Sequence, residues 1–155
     1  MAARGSLRPV GTPKGLTFVD TNVLVYAHDS SDAHRRPVAQ RLLDELWRSR
    51  RGALSTQVLQ EFYNAATRKF DPPMRRSTAR ALVGAYAEWL VIEIDVALIV
   101  SASELEENQK LSFWDAMIVE AARRAGADRI VTEDLQSGRR IGGVLVVNPF
   151  AAPGD

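Results

Sequence analysis

Short, almost wholly apolar runs alternate along this chain with longer stretches of helical periodicity. Leu16–Val19, Val91–Ile94 and Val144–Val147 lack the polar alternation of a half-buried strand, so they read as strands covered on both faces. Between them, apolar residues recur at helical spacing: Val38, Leu42, Leu43, Leu46 and Trp47; Val58, Leu59, Phe62, Tyr63 and Ala66; Leu82, Val83 and Tyr86. This alternation predicts an α/β fold with a mostly parallel central sheet flanked by helices on both sides.

Punctuation in the sequence sets the expected boundaries. Val23–Ala27 is long enough for a short helical turn, and Asp29–Asp32 for a polar loop. Pro37 suits a helix first turn and Gly52 an end to the unit that follows. Ala53-Leu54 reads as a brief strand, Ser55 or Thr56 as the cap of a helix over 57–69, and Asp71-Pro72-Pro73 as a break. Ser77 is expected to cap a helix through Trp89, Asp95 one through about Asn108, and Leu111-Ser112 to open one to Ala125, stopped by Gly126. Arg129–Val131 is a further strand. No repeat or linker interrupts the pattern. The expected organisation is a flexible leader over residues 1–15, one domain over 16–150 and a short tail over 151–155.

Composition narrows the chemistry. A chain of 155 residues can bury a real core. The absence of cysteine removes disulfides, thiolate catalysis and Cys-ligated zinc, and fits a reducing, cytoplasmic setting. No apolar run reaches the length of a membrane span, and residues 1–15 lack the apolar region of a secretory signal. Twenty basic residues against nineteen acidic ones leave a net charge of +1, so no overall field marks a nucleic-acid binder. Basic pairs at Arg35-Arg36, Arg68-Lys69, Arg75-Arg76, Arg123-Arg124 and Arg139-Arg140 are read mainly as solvated helix ends, where cations favour C-terminal turns.

The chemistry rests on acids. Asp20 and Asp134 each follow a predicted strand, Asp115 sits in the first turn of a helix, and Glu61 lies about 100° from the centre of its helix stripe. With right-handed crossovers, strand ends and helix starts share one edge of the sheet, where ligands bind in open α/β folds. Each acid has an ordinary explanation. Asp115 is three residues after Ser112, as in a capping box; Asp20 is placed as a turn former; Asp134 caps a turn; Glu61 is a surface acid. Their joint placement is what points to a site. Converging carboxylates repel one another, and a bound cation relieves this; all-oxygen donors suit Mg²⁺ or Mn²⁺. His28 and His34 are read as solvated, and Ser55 as a cap with no base in place to activate it.

Phe18-Val19-Asp20-Thr21-Asn22-Val23-Leu24 resembles the opening motif of the PIN-domain ribonucleases. The segment from Leu54 to Phe62, with Glu61 as its acid, looks like their second block. Leu111-Ser112-Phe113-Trp114-Asp115-Ala116 resembles the third, Thr132-Glu133-Asp134-Leu135 the fourth, and Val146–Phe150 a common ending. Single-domain size looks most like the toxin of VapC-like type II toxin–antitoxin pairs. The resemblance implies a parallel α/β sheet and Mg²⁺- or Mn²⁺-dependent endonucleolytic cleavage of RNA. It also implies homodimers and an antitoxin whose tail blocks the acidic site. It carries Asp20, Glu61, Asp115 and Asp134 over as metal ligands, and Asn22 and Thr132 as polar helpers; Asp134 is preferred to its neighbour Glu133 because it follows Thr132 by two positions.

Two rivals use the same residues. A non-catalytic module could bind RNA or a partner on this fold. A phosphatase of the haloacid-dehalogenase type also opens with an Asp after its first strand, but needs a second Asp where this chain has Asn22.

Overall fold

In the computed structural model, which describes residues 15–152, a six-stranded sheet runs in the order β3-β2-β1-β4-β6-β5. The strands are β1 (Thr17–Val19), β2 (Gly52–Ser55), β3 (Leu90–Ile92), β4 (Arg129–Val131), β5 (Arg140–Ile141) and β6 (Val144–Val147). All neighbouring pairs are parallel except β5 with β6. Central β1 sets the register: Thr17, Phe18 and Val19 face Arg129, Ile130 and Val131 on one side, while Thr17 and Phe18 face Gly52 and Ala53 on the other. The helices are α1 (Thr21–His28), α2 (Arg35–Ser49), α3 (Thr56–Arg68), α4 (Arg76–Tyr86), α5 (Val96–Gln109) and α6 (Phe113–Arg124). Phe18, Leu54, Phe62, Leu98 and Ile130 are completely buried between sheet and helices. The expected α/β architecture with a mostly parallel sheet is therefore present.

Several local expectations change. The turn after Asp20 is a full eight-residue helix, because Asp20 caps it by accepting from the Thr21 amide. Gly52 does not end α2. Arg50 does, in the left-handed region at φ 58°, and Gly52 starts β2. Glycine is needed there for space: a Cβ would fall 2.3 Å from Cε3 of Trp89. Ser55, rather than Thr56, caps α3 through the Val58 amide. Ser77 lies inside α4, whose N-cap position is Arg75 with no side-chain cap. The strand expected over 91–94 is shorter and sits at the sheet edge, which leaves Leu90 exposed and only Ile92 buried. The two-residue β5 carries too few residues to show a period and was not expected. Asp95 and Ser112 cap α5 and α6 as expected. The leader falls outside the described residues, apart from Gly15.

The basic pairs divide by position. Arg68-Lys69 and Arg123-Arg124 end α3 and α6, as expected for solvated C-terminal turns. Arg35-Arg36 and Arg75-Arg76 instead open α2 and α4, against the helix dipole. Arg35 is compensated by ion pairs to Asp32 at 2.9 Å and Glu133 at 3.1 Å.

Candidate functional site

The site grows from the carboxyl edge of the two central strands. One step beyond β1, the Asp20 amide donates to the Val131 carbonyl, and one step beyond β4 the Thr132 amide donates to the Val147 carbonyl. The sheet ladder thus fixes both residues where their side chains meet. Thr132 is fully buried and Asp20 nearly so. The Thr132 hydroxyl donates to Asp20 Oδ2 at 2.7 Å, while Asp20 Oδ1 accepts from the Thr21 amide at 2.7 Å.

Asn22, in the first turn of α1, ties this pair to the fourth acid. Its Nδ2 donates to Thr132 Oγ1 and to Asp134 Oδ2, each at 3.1 Å, and more weakly to Asp20 Oδ2 at 3.4 Å. Its Oδ1 accepts from the Glu133 amide at 3.4 Å, and Thr132 Oγ1 accepts from the Asp134 amide at 3.1 Å. Every contact agrees with one orientation of the Asn22 amide. Asn22 and Thr132, expected as polar helpers, are placed as the frame that holds Asp20 and Asp134 together. As a donor, Asn22 cannot supply the second acid that a dehalogenase-type phosphatase needs.

Glu61 reaches the same place from α3. It is exposed, and Oε1 accepts from the Thr21 hydroxyl at 2.6 Å. Its Oε2 lies 3.4 Å from Nε2 of Gln57, one turn earlier on the same helix. Asp115 sits on the first turn of α6, half-buried, below the Ser112 cap. Gln57 Nε2 also lies 3.4 Å from the Trp114 carbonyl, so one amide links the α3 acid to the start of α6. Gln57 Oε1 is buried and has no protein partner.

Electrostatics reflect the convergence. Burial pushes the Asp20 carboxyl up to about 7, against the lowering effect of the Thr132 and Thr21 hydrogen bonds; the Asp134 and Glu61 carboxylates raise it further. The Asp115 carboxyl is also raised, first by burial, with Asp134 and Glu61 again adding to the shift and the Ser112 hydrogen bond opposing it. Asp134 and Glu61 therefore act on both other acids. The four side chains share one electrostatic neighbourhood although they come from four separate segments.

The donor set suits a hard divalent ion: carboxylate oxygens, with no thiolate and no histidine in the network. Among the described residues, however, no three acids or histidines stand grouped so that they could hold an ion as they are. Three of the carboxylates are engaged by protein donors: Asp20 by Thr132 and Thr21, Glu61 by Thr21 and Gln57, and Asp134 by Asn22. Glu61 and Asp134 are exposed, and so have rotamer freedom to turn toward Asp20 and Asp115.

Glu133 is occupied elsewhere. It accepts from the Tyr26 hydroxyl and pairs with Arg35, whose guanidinium lies 5.2 Å from the centre of the Tyr26 ring. This clamp ties the loop after β4 to α1 and α2, leaving Asp134 as the residue of the pair that enters the acid network. Thr21, Gln57, Tyr26 and Arg35 were not given a part in the site by the sequence, although Thr21 and Gln57 lie inside the first and second motif blocks and Arg35 in a basic pair. His28 corrects an expectation. Rather than being solvated, it packs against Phe62 and Tyr86 with a ring nitrogen 2.9 Å from the Tyr86 hydroxyl, and burial lowers its pKa. His34 is exposed as expected, and Ser55 is a buried cap.

The PIN domain family matches the chain over residues 17–141. Among solved structures, the VapC20 toxin of Mycobacterium tuberculosis, described as cleaving the sarcin-ricin loop, is 25% identical with a TM-score of 0.58, over 74% of this chain and 86% of that one. A toxin–antitoxin complex from Klebsiella pneumoniae is 21% identical with a TM-score of 0.65, over 86% and 97% of the two chains. DNA-bound VapBC from Salmonella typhimurium is 19% identical with a TM-score of 0.58, over 84% and 96%. At those lower identities the last two bear on the fold alone. No curated protein matches the sequence. With the family matched across most of its length and the fold shared with VapC toxins, the chain belongs to the PIN domain family.

Proposed function

We propose that this protein is a divalent-metal-dependent endoribonuclease, the toxin of a toxin–antitoxin pair. The reading is supported by the joining of Asp20 and Asp134 through Asn22 and Thr132 at the sheet edge where open α/β folds bind ligands, with the charge of Glu61 acting on Asp20 and those of Glu61 and Asp134 on Asp115. The similarity to VapC20, described as a toxin cleaving the sarcin-ricin loop, supports RNA as the substrate and a toxin's role, to which an antitoxin partner belongs.

In this reading Asp20, Glu61, Asp115 and Asp134 hold Mg²⁺ or Mn²⁺. The bound ion supplies Lewis acidity, a lowered pKa for water and countercharge for the phosphoryl oxygens. Asp20 would be the fixed ligand, locked by Thr132 and Thr21, and would have to be deprotonated to hold the ion, against the burial that raises its pKa. Glu61 and Asp134 would be the adjustable ligands, since both are exposed and can turn from Thr21 and Asn22. Water attacks the phosphorus in line, the bond to the 3′ oxygen breaks, and the products carry 5′-phosphate and 3′-hydroxyl ends. The antitoxin inhibits by placing an Arg or Lys among the carboxylates, and the toxin works as a homodimer within the cytoplasm. No helix among the described residues is long and apolar enough to cross a membrane.

The test is incubation of purified protein with total RNA, with Mg²⁺ or Mn²⁺ and with chelator, followed by end-group analysis. Defined fragments with 5′-phosphates only in the presence of metal support the proposal; chelator-resistant cleavage removes it. The alternative is a module of this fold that binds RNA or a partner without cutting. Metal-independent RNA binding with every RNA left intact would establish that alternative.

A further inference from the structure

Trp114 is 62% exposed, against 38% for Trp47, and is the more exposed of these two indoles. Trp47 and Trp89 pack edge to face on each other, and both pack against Tyr86, which accounts for them as packing. The ring of Trp114 touches Phe113 edge to face, with centroids 5.4 Å apart, and leaves most of its surface to solvent. An exposed large aromatic is informative where something beside it explains the exposure. Here the next residue is Asp115.

The backbone of Trp114 is also fixed relative to two acids. Gln57 is buried, and its amide nitrogen lies between the Trp114 carbonyl and Glu61 Oε2, both acceptors, which sets the orientation of the amide. The Ser112 cap fixes the same helix start through the Asp115 amide. The start of α6, which carries both the exposed indole and Asp115, is therefore held in a fixed place beside Gln57 and Glu61. The connection leading into it carries an exposed cation, Lys110, in the left-handed C-cap of α5.

We propose that Trp114 is a base-stacking platform for the nucleotide adjoining the scissile phosphate, so that the substrate enters as single-stranded or looped RNA. The inference rests on the nuclease reading: a phosphate held at Asp115 brings its neighbouring base within one side chain's reach of Trp114. Every base offers a π-face, so stacking gives affinity with little sequence preference, and it requires a base that is not already stacked in a duplex. An indole beside a carboxylate site thus selects an unpaired strand before any base edge is read.

The experiment uses the full, otherwise unsubstituted chain and RNA linked by phosphorothioates, which resist hydrolysis while keeping the bases and the backbone charge. A labelled single-stranded RNA decamer and its duplex are titrated at low salt with Mg²⁺, following anisotropy and indole fluorescence. Trp114→Ala and Trp114→Leu should each weaken single-strand binding by about 5- to 150-fold, the span that aromatic stacking supplies per base. Trp114→Phe should stay within about threefold, because it keeps a ring, and duplex binding should not respond to any of the three. Single-strand quenching of indole emission should vanish with Trp114. The proposal is overturned if Trp114→Ala binds like its parent, if Trp114→Leu binds like Trp114→Phe, or if no RNA binds. Trp114-dependent binding with no cleavage by the unsubstituted protein would sink the nuclease reading alone. Cleavage with Trp114-independent binding would sink the stacking platform alone.

Discussion

Asp20→Asn, in metal-free protein, should change stability in a pH-dependent way whose sign follows from burial. In the folded chain the Asp20 carboxyl is pushed up to about 7 from 3.8, chiefly by burial. Between those values the folded state holds a proton that the unfolded state has lost, so unfolding free energy falls as pH rises and levels off above about 7. At about 1.36 kcal/mol per unit, the penalty relative to an unshifted carboxyl is about 2 kcal/mol at pH 5 and about 4 kcal/mol at pH 7.5. The amide removes this penalty at both pH values. It introduces a smaller one: Thr132 Oγ1 donates to Asp20 Oδ2 and already accepts from Asn22 and Asp134, so an NH₂ in place of Oδ2 leaves a donor poorly met, at about 1 kcal/mol. Urea unfolding in chelator should therefore find the variant about 1 kcal/mol more stable than wild type at pH 5 and about 3 kcal/mol more stable at pH 7.5. A difference between the two proteins that is the same at both pH values would refute the argument that Asp20 is a buried, proton-holding carboxyl.

Other perturbations follow from particular contacts. Gly52→Ala would drive a Cβ to 2.3 Å from Trp89, whose ring is held by Trp47 and Tyr86, and should cost about 1–3 kcal/mol, read as a lower thermal midpoint. Thr132→Val removes the hydroxyl that Asp20, Asn22 and Asp134 share and should cost about 2 kcal/mol in urea unfolding at pH 7.5, with less loss at pH 5 where Asp20 is protonated; equal losses at both would contradict it. His28 has a lowered folded pKa, so the unfolded chain takes up its proton first and wild type loses stability as pH falls below about 6.5. His28→Gln should flatten that part of the stability profile, and an unchanged acid limb would show that His28 is not buried as described.

Asp20, Asp115 and Asp134 were legible because local sequence fixes each position: a strand end, a capped helix start and a strand end. Glu61 was legible only as a border residue, since the hydroxyl that holds it, on Thr21, is 40 positions away. Contacts set by tertiary packing left little trace. The clamp from Glu133 to Tyr26 and Arg35 closes over about a hundred residues of chain, and Gln57 reads from periodicity as a polar residue before an apolar stripe. His28 belongs to the same class: nothing local distinguishes a histidine facing solvent from one facing Phe62 and Tyr86. Gly52, expected to end α2, opens β2 instead, because the space under Trp89, rather than a turn, is what demands glycine.

If four acids from four segments form one divalent-ion site, RNA cleavage depends on each of them. The most direct measurement is calorimetric Mn²⁺ binding to wild type, Asp20→Asn, Glu61→Gln, Asp115→Asn and Asp134→Asn, alongside cleavage of total RNA by each. The account predicts binding by wild type, at least about tenfold weaker binding by every variant, and cleavage that falls in step. Wild-type cleavage undiminished by chelator, or full cleavage by Asp20→Asn, would contradict it.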